Sequence, residues 1–165
     1  MRVLGIDTAL RSTGFGVVES KGNRFSGVDY GTIKNPQSRS HSECLKHLHG
    51  ELVGVLARTR PEVAAIEGGF FFKNARTALV LGEARGVVIA ACATFGIPIY
   101  EYSPRHVKQA LTGFGSAEKD QVAKMVVSLL GLQEIPGADA TDALAIAIAH
   151  INSQSNYPDL KPEPI

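Results

Sequence analysis

Four carboxylates stand out in the sequence by position. Asp7 closes the apolar run Arg2-Val-Leu-Gly-Ile, and Glu67 closes Val63-Ala-Ala-Ile. An acid at the end of a buried strand is costly unless it is paired or metal-bound. In open α/β sheets the carboxyl ends of the strands face the ligand. Asp139 and Asp142 lie three apart at the start of the last apolar segment, and so share one helix face. Taken alone, that pair is explained by first-turn acids interacting with the helix dipole, worth ~0.3–1 kcal/mol. Asp7 and Glu67 are left unexplained by that account. Four oxygen-donor groups with few basic neighbours suit a hard divalent cation, Mg2+ or Mn2+, rather than Zn2+. The chemistry they serve best is phosphoryl transfer, in which two ions ~3.5–4 Å apart activate a water and steady a leaving oxygen.

The elements that must position these acids follow from the pattern of the chain. Residues 2–7, 13–19 and 25–33 read as strands, with Lys21-Gly-Asn23 as a hairpin turn between the second and third. Leu45, Leu48, Leu52 and Leu56 fall near helical spacing over 42–56. Residues 63–67 form the next strand, 68–74 a loop, 75–95 a long Ala-rich helix ended by Gly96 and Pro98, and 97–102 a fifth strand. Ser103-Pro104 opens a short helix as an N-cap followed by Pro should. Gly113-Phe-Gly115-Ser116 turns into a helix through Leu130, and 138–151 is the last helix. Three sequential strands imply an antiparallel meander, and strands alternating with helices imply parallel pairing. The expected fold is α/β: a mixed five-stranded sheet with helices on both faces. Residues 1–152 form one domain, and the Pro-rich residues 153–165 are expected to be a disordered tail.

Composition excludes several classes. A chain of 165 residues with 44% apolar and 20% charged residues is globular and buries a core without staples. Cys44 and Cys92 are far apart, which speaks for reduced thiols in a cytoplasmic protein rather than a disulfide framework. Asp7 interrupts the first apolar run, so no secretory signal is read there. The uncharged stretch 86–100 is too short for a membrane, which needs ~20 residues. His47 and His49 cannot share a helical face, and Gly14-x-Gly16 lacks the third glycine of a dinucleotide fingerprint. The net charge of +1 at first speaks against nucleic acid. If the four acids bind metal, however, 12 acidic side chains remain against 17 basic ones.

Longer motifs point to one family. Gly5-Ile-Asp7 with Gly14-Phe-Gly16-Val17 resembles the opening of the RuvC-type Holliday-junction resolvases. Ala65-Ile-Glu67, Lys73-Asn74 and Leu81-Gly-Glu-Ala-Arg-Gly86 resemble the middle of that family. Val107-Lys108-Gln109, Gly113-Phe-Gly-Ser-Ala-Glu-Lys119 and Ala138-Asp-Ala-Thr-Asp-Ala-Leu-Ala145 resemble its end. The resemblance implies a ribonuclease-H-like fold, a homodimer, and a Mg2+-dependent endonuclease that resolves four-way DNA junctions by paired symmetric nicks in recombination and repair. It implies two Mg2+ per subunit, with Mn2+ as a substitute and no small-molecule cofactor. It also implies the RuvA and RuvB branch-migration proteins as partners.

The family's catalytic acids fall on Asp7, Glu67, Asp139 and Asp142. Phe70 aligns with an aromatic that stacks on an unpaired base, a contact worth ~1–3 kcal/mol; Phe71 and Phe72 are left for core or dimer contacts. Lys108 and Lys119 match positions linked to DNA handling, and Lys119 also to catalysis. The turn at Gly113–Ser116 is read as a phosphate site at a helix N-terminus, with Ser116 contributing its hydroxyl. Lys73, Arg76 and Arg85 are candidate phosphate contacts. The chain departs from the family in having Thr8-Ala9 where Pro-Gly usually follows the first Asp. An actin-like phosphotransferase would need two such domains around a cleft. A binding module would not need four acids, and a nuclease acting on RNA would share the fold.

Overall fold

A computed structural model of the chain describes residues 1–68, 74–156 and 164–165. Phe70, Phe71, Phe72 and Lys73, and most of the expected disordered tail, lie outside the described residues. The elements run β1 (Arg2–Asp7), β2 (Ser12–Lys21), β3 (Arg24–Lys34), α1 (His41–Thr59), β4 (Val63–Glu67), α2 (Ala75–Thr94), β5 (Ile99–Tyr102), α3 (Pro104–Thr112), α4 (Lys119–Leu130) and α5 (Ala138–Asn156). The sheet order is β3-β2-β1-β4-β5. β1, β2 and β3 pair antiparallel, while β4 lies parallel to β1 and β5 parallel to β4. This is the mixed five-stranded sheet the sequence predicts.

Strand periodicity divides the apolar residues between two layers. Leu4, Ile6, Val17, Ala64 and Ile66 face α1 and α2, where Leu48, Leu52, Leu56, Val88 and Cys92 close the core. Val3, Val18, Ala65 and Tyr102 face the other way, against Leu111, Val126, Leu144 and Ile148 of α3, α4 and α5. Asp7 and Glu67 follow Ile6 and Ile66, so the same alternation turns both acids toward the α5 layer.

On that layer α5 lies unusually close to the sheet. A Cβ on Gly5 would stand 2.0 Å from the Ala143 carbonyl oxygen, and one on Gly14 would stand 1.9 Å from the Asp139 carbonyl oxygen. A Cβ on Gly16 would meet Leu144 at 2.8 Å. Helix backbone rests on strand backbone, which only glycine permits.

Local signals set the helix ends. Ser103 accepts the His106 N–H at 3.2 Å, with Pro104 in the first turn of α3. Asn74 opens α2 by accepting the N–H of Arg76 at 2.9 Å. Two expectations need correction. The Gly113–Ser116 turn does not stand at the N-terminus of α4: Gly113 ends α3 with φ 82°, and Glu118 caps α4 in a reciprocal box with Gln121. Ala117 and Val122 are buried in one cluster on either side of that cap. They pin the entry of the chain two residues after Ser116 in the manner of a hydrophobic staple. The last helix also runs to Asn156 instead of 151. Tertiary contacts extend it: Asn152 Nδ2 donates to the Ala110 carbonyl at 2.9 Å, and Ser153 Oγ pairs with His106 Nε2 at 2.7 Å.

Gly5→Ala should cost about 3 kcal/mol in urea unfolding, the upper end for overpacking, because the obstructing atom is helix backbone. A loss under about 0.5 kcal/mol would mean that α5 yields without strain.

Candidate active site

Asp7 and Glu67 end neighbouring parallel strands, and α5 crosses that end of the sheet with Asp139 in its first turn. Asp7, Glu67 and Asp142 line one cavity of about 290 Å3 with Lys108, Lys119, Pro104, Val107, Val122, Ala145 and Ile146. Asp139 lies beside it, accepting a hydrogen bond from Ser12 Oγ. Lys119 Nζ donates to Asp142 Oδ2 at 3.3 Å. The Lys119 side chain is otherwise 82% exposed, so it is anchored at one contact and free to reach elsewhere.

The electrostatics show the acids acting on one another. Burial, then Asp142 and Asp139, push Asp7 up to about 6. Burial, then Asp7 and Asp142, push Glu67 up to about 7, against the opposing charges of Lys119 and Lys108. Asp142 in turn raises Lys119. The site thus holds more negative charge than its two lysines balance. Among the described residues no three His, Cys, Asp or Glu side chains stand as a metal-binding cluster. Asp142 is turned to Lys119 and Asp139 to Ser12, as carboxylates repelled by their neighbours should be. The donor set is nonetheless all oxygen, anionic and open to a cavity, and it fits a hard divalent cation.

The remaining predicted residues are dispersed. Lys108 lines the same cavity from α3. Ser116 is exposed on the turn between α3 and α4. Arg76 is exposed at the start of α2 and lines a separate cavity of about 620 Å3 with Thr8, Leu10, His41 and Val80. The Thr8-Ala9 loop is closed by Thr13, whose hydroxyl accepts the Ala9 N–H at 3.3 Å and donates to the Ala9 carbonyl. Arg85 does not face solvent as a phosphate contact: it donates to the Glu67 carbonyl and to Glu101. Ser12 and Glu101 were not legible as site residues. Each acts through a long-range contact, and nothing in its local sequence marks it.

The raised acids give a stability test. The unfolded chain titrates Asp7 and Glu67 near 3.8 and 4.5, below their folded values of about 6 and 7. Across that window the folded state binds more protons, so stability without metal falls as pH rises. In chelator, Asp7→Asn should therefore melt several degrees above the parent chain at about pH 8, and the gain should vanish near pH 4. Scanning calorimetry at the two pH values checks this.

The chain is similar to known proteins along nearly its whole length. The family described as crossover junction endodeoxyribonuclease RuvC matches residues 3–150. The crossover junction endodeoxyribonuclease RuvC of Caldicellulosiruptor saccharolyticus is 51% identical over 94% of this chain and 95% of its own length. That of Pelotomaculum thermopropionicum is 48% identical over 91% and 92%. Thermus thermophilus RuvC, solved in complex with a Holliday junction substrate, is 34% identical with a TM-score of 0.89 and full coverage of both chains. The yeast mitochondrial Holliday junction resolvase Ydc2, at 13% identity, shares the fold with a TM-score of 0.67 over 91% of this chain and 77% of its own. These likenesses bear out the ribonuclease-H-like fold expected from the motifs. In sequence and in fold, the chain belongs to the RuvC family of crossover junction endodeoxyribonucleases.

Proposed function

We propose that Asp7, Glu67, Asp139 and Asp142 hold two Mg2+ ions, with Mn2+ an effective substitute, and that a homodimer of this chain cuts four-way DNA junctions by paired symmetric nicks. The observation that carries this reading is the mutual electrostatic perturbation of the acids at one cavity. Bound divalent ions would supply the activation of water and charge stabilisation at the leaving 3′ oxygen.

The chain's own residues supply orientation. Asp7 and Glu67 stand at paired strand ends and Asp139 and Asp142 on one helix, so regular elements place all four acids. Lys119 exchanges its contact with Asp142 for the scissile phosphate, and Lys108 approaches from α3. Val107, Val122 and Ile146 add apolar surface to the cavity lining, which strengthens the lysine–phosphate interaction. Ser116, Arg76, Lys73 and Phe70 are assigned to the DNA, Phe70 by base stacking. A few placed lysines rather than a large basic face carry the binding, and affinity falls with salt. The family's branch-migration proteins RuvA and RuvB are the proposed partners. The cytoplasm is the proposed location, supported by two buried free thiols, Cys44 and Cys92.

The subunit interface is assigned to α2. This helix is apolar, yet few of its residues are buried. Ala84, Val88, Ala91 and Cys92 pack it on the sheet. Its outward side carries Ala78, Gly82, Gly86 and Ala90 in exposed steps of one turn, beside Leu79 at 64% exposure. A second copy of the helix fits such a surface closely.

Asp7→Asn should reduce cleavage of a synthetic four-way junction in Mg2+ to background while leaving junction affinity within about twofold. The parent chain should leave linear duplex and RNA–DNA hybrid uncut. Equal cutting of all three substrates, or cleavage by Asp7→Asn near the parent rate, would contradict the reading. Leu79→Glu should shift the protein from dimer to monomer in sedimentation at micromolar concentration and uncouple the two nicks.

A further inference from the structure

Arg85 projects from α2 toward the sheet, on the face opposite the acids. Its Nη1 donates to the backbone carbonyl of Glu67 at 2.9 Å. Its Nη2 donates to the Glu101 carboxylate on β5, and the two side chains are 22% and 36% exposed. Glu101 is confined in turn: a Cβ on Gly68 would stand 1.9 Å from its Oε1. The Gly68 N–H donates to the Tyr102 carbonyl at 2.9 Å. Both polar groups of the Glu67–Gly68 peptide are therefore held, one by Arg85 and one by β5. That peptide sets the direction in which the Glu67 side chain leaves the strand.

We propose that Arg85, oriented by Glu101, is a positioning residue for Glu67. The inference rests on the reading of Glu67 as a metal ligand. Arg85 touches neither DNA nor metal in this account. From behind the sheet it locks the last peptide of β4, so that the carboxylate on the other face starts from one fixed backbone geometry. A planar guanidinium satisfies the carbonyl and the carboxylate together, which a lysine ammonium on one flexible stem does not reproduce. Gly68 belongs to the same device, because any side chain there would displace Glu101.

The test uses the full chain with Arg85→Gln, Arg85→Lys, Glu101→Gln and Glu67→Gln. Free Mn2+ is titrated by electron paramagnetic resonance without DNA, melting is followed in chelator, and kcat and KM are measured on a junction in Mg2+. Arg85→Gln should weaken Mn2+ binding about 10–100-fold, as for partners that orient metal ligands, and lower kcat with KM nearly unchanged. Arg85→Lys should recover only part of the loss. Arg85→Gln that melts like the parent and keeps its Mn2+ affinity and kcat overturns the proposal. If Arg85→Gln does not fold, Glu101→Gln, which keeps shape and one hydrogen bond, decides. Weaker Mn2+ binding supports the proposal, and parent-like binding overturns it. Loss of Mn2+ binding in Glu67→Gln with none in the Arg85 and Glu101 variants refutes positioning but leaves the metal reading intact. Parent-like Mn2+ binding in Glu67→Gln removes the metal reading and the positioning role with it.

Discussion

The contact of α5 backbone with β1 and β2 backbone is the constraint on which the site depends. At Gly5, Gly14 and Gly16 there is no room for a single methyl group before the carbonyls of Asp139 and Ala143 or the Leu144 side chain. This approach carries the first turn of α5 to the carboxyl ends of β1 and β4. If the helix stood off the sheet by a side-chain layer, Asp139 and Asp142 would lie too far away to perturb Asp7. Packing energy on the α5 face, from Val3, Val18, Leu144 and Ile148, is what holds the helix there against the repulsion it creates.

That repulsion is the functional content of the fold. Four acids share one end of a sheet, two of them partly desolvated, and the positive charges of Lys119 and Lys108 oppose the rise in their pKa only in part. Folding therefore stores an electrostatic imbalance at one place and offsets it with apolar burial elsewhere. A divalent cation relieves the imbalance, and so does a proton. The near-neutral charge of the whole chain, +1, conceals this local imbalance: apart from the four acids at this end of the sheet, 12 acidic side chains face 17 basic ones.

Much of this was legible in the sequence. Asp7 and Glu67 were identifiable because each closes an apolar strand, and strand periodicity alone places both on one face. Asp139 and Asp142 were identifiable as one helix face. The motifs around them identified the family, and the comparisons bear it out. Less legible was anything decided by a long-range contact. The Gly113–Ser116 turn read as a helix N-terminus, yet Ala117 and Val122 are buried together and α4 starts after the cap at Glu118. The residues from Ser153 onward read as a tail, yet Ser153 lies in α5 and its hydroxyl pairs with His106 on α3. Arg85 read as a solvated phosphate contact, whereas its guanidinium is spent on Glu67 and Glu101.

The sequence by itself therefore determined the element order, the two-layer distribution of apolar residues, the four acids and the family. Those features depend on periodicity, on turn and cap chemistry, and on residue type, which are local properties. Only the tertiary structure decided which acids feel one another, that Lys119 takes Asp142 while Ser12 takes Asp139, and that Arg85 turns inward. These depend on where the chain brings residues separated by 16 to 127 positions. Distance in space, and the desolvation that accompanies it, is written in the packing of α5 on its glycines and not in any local motif.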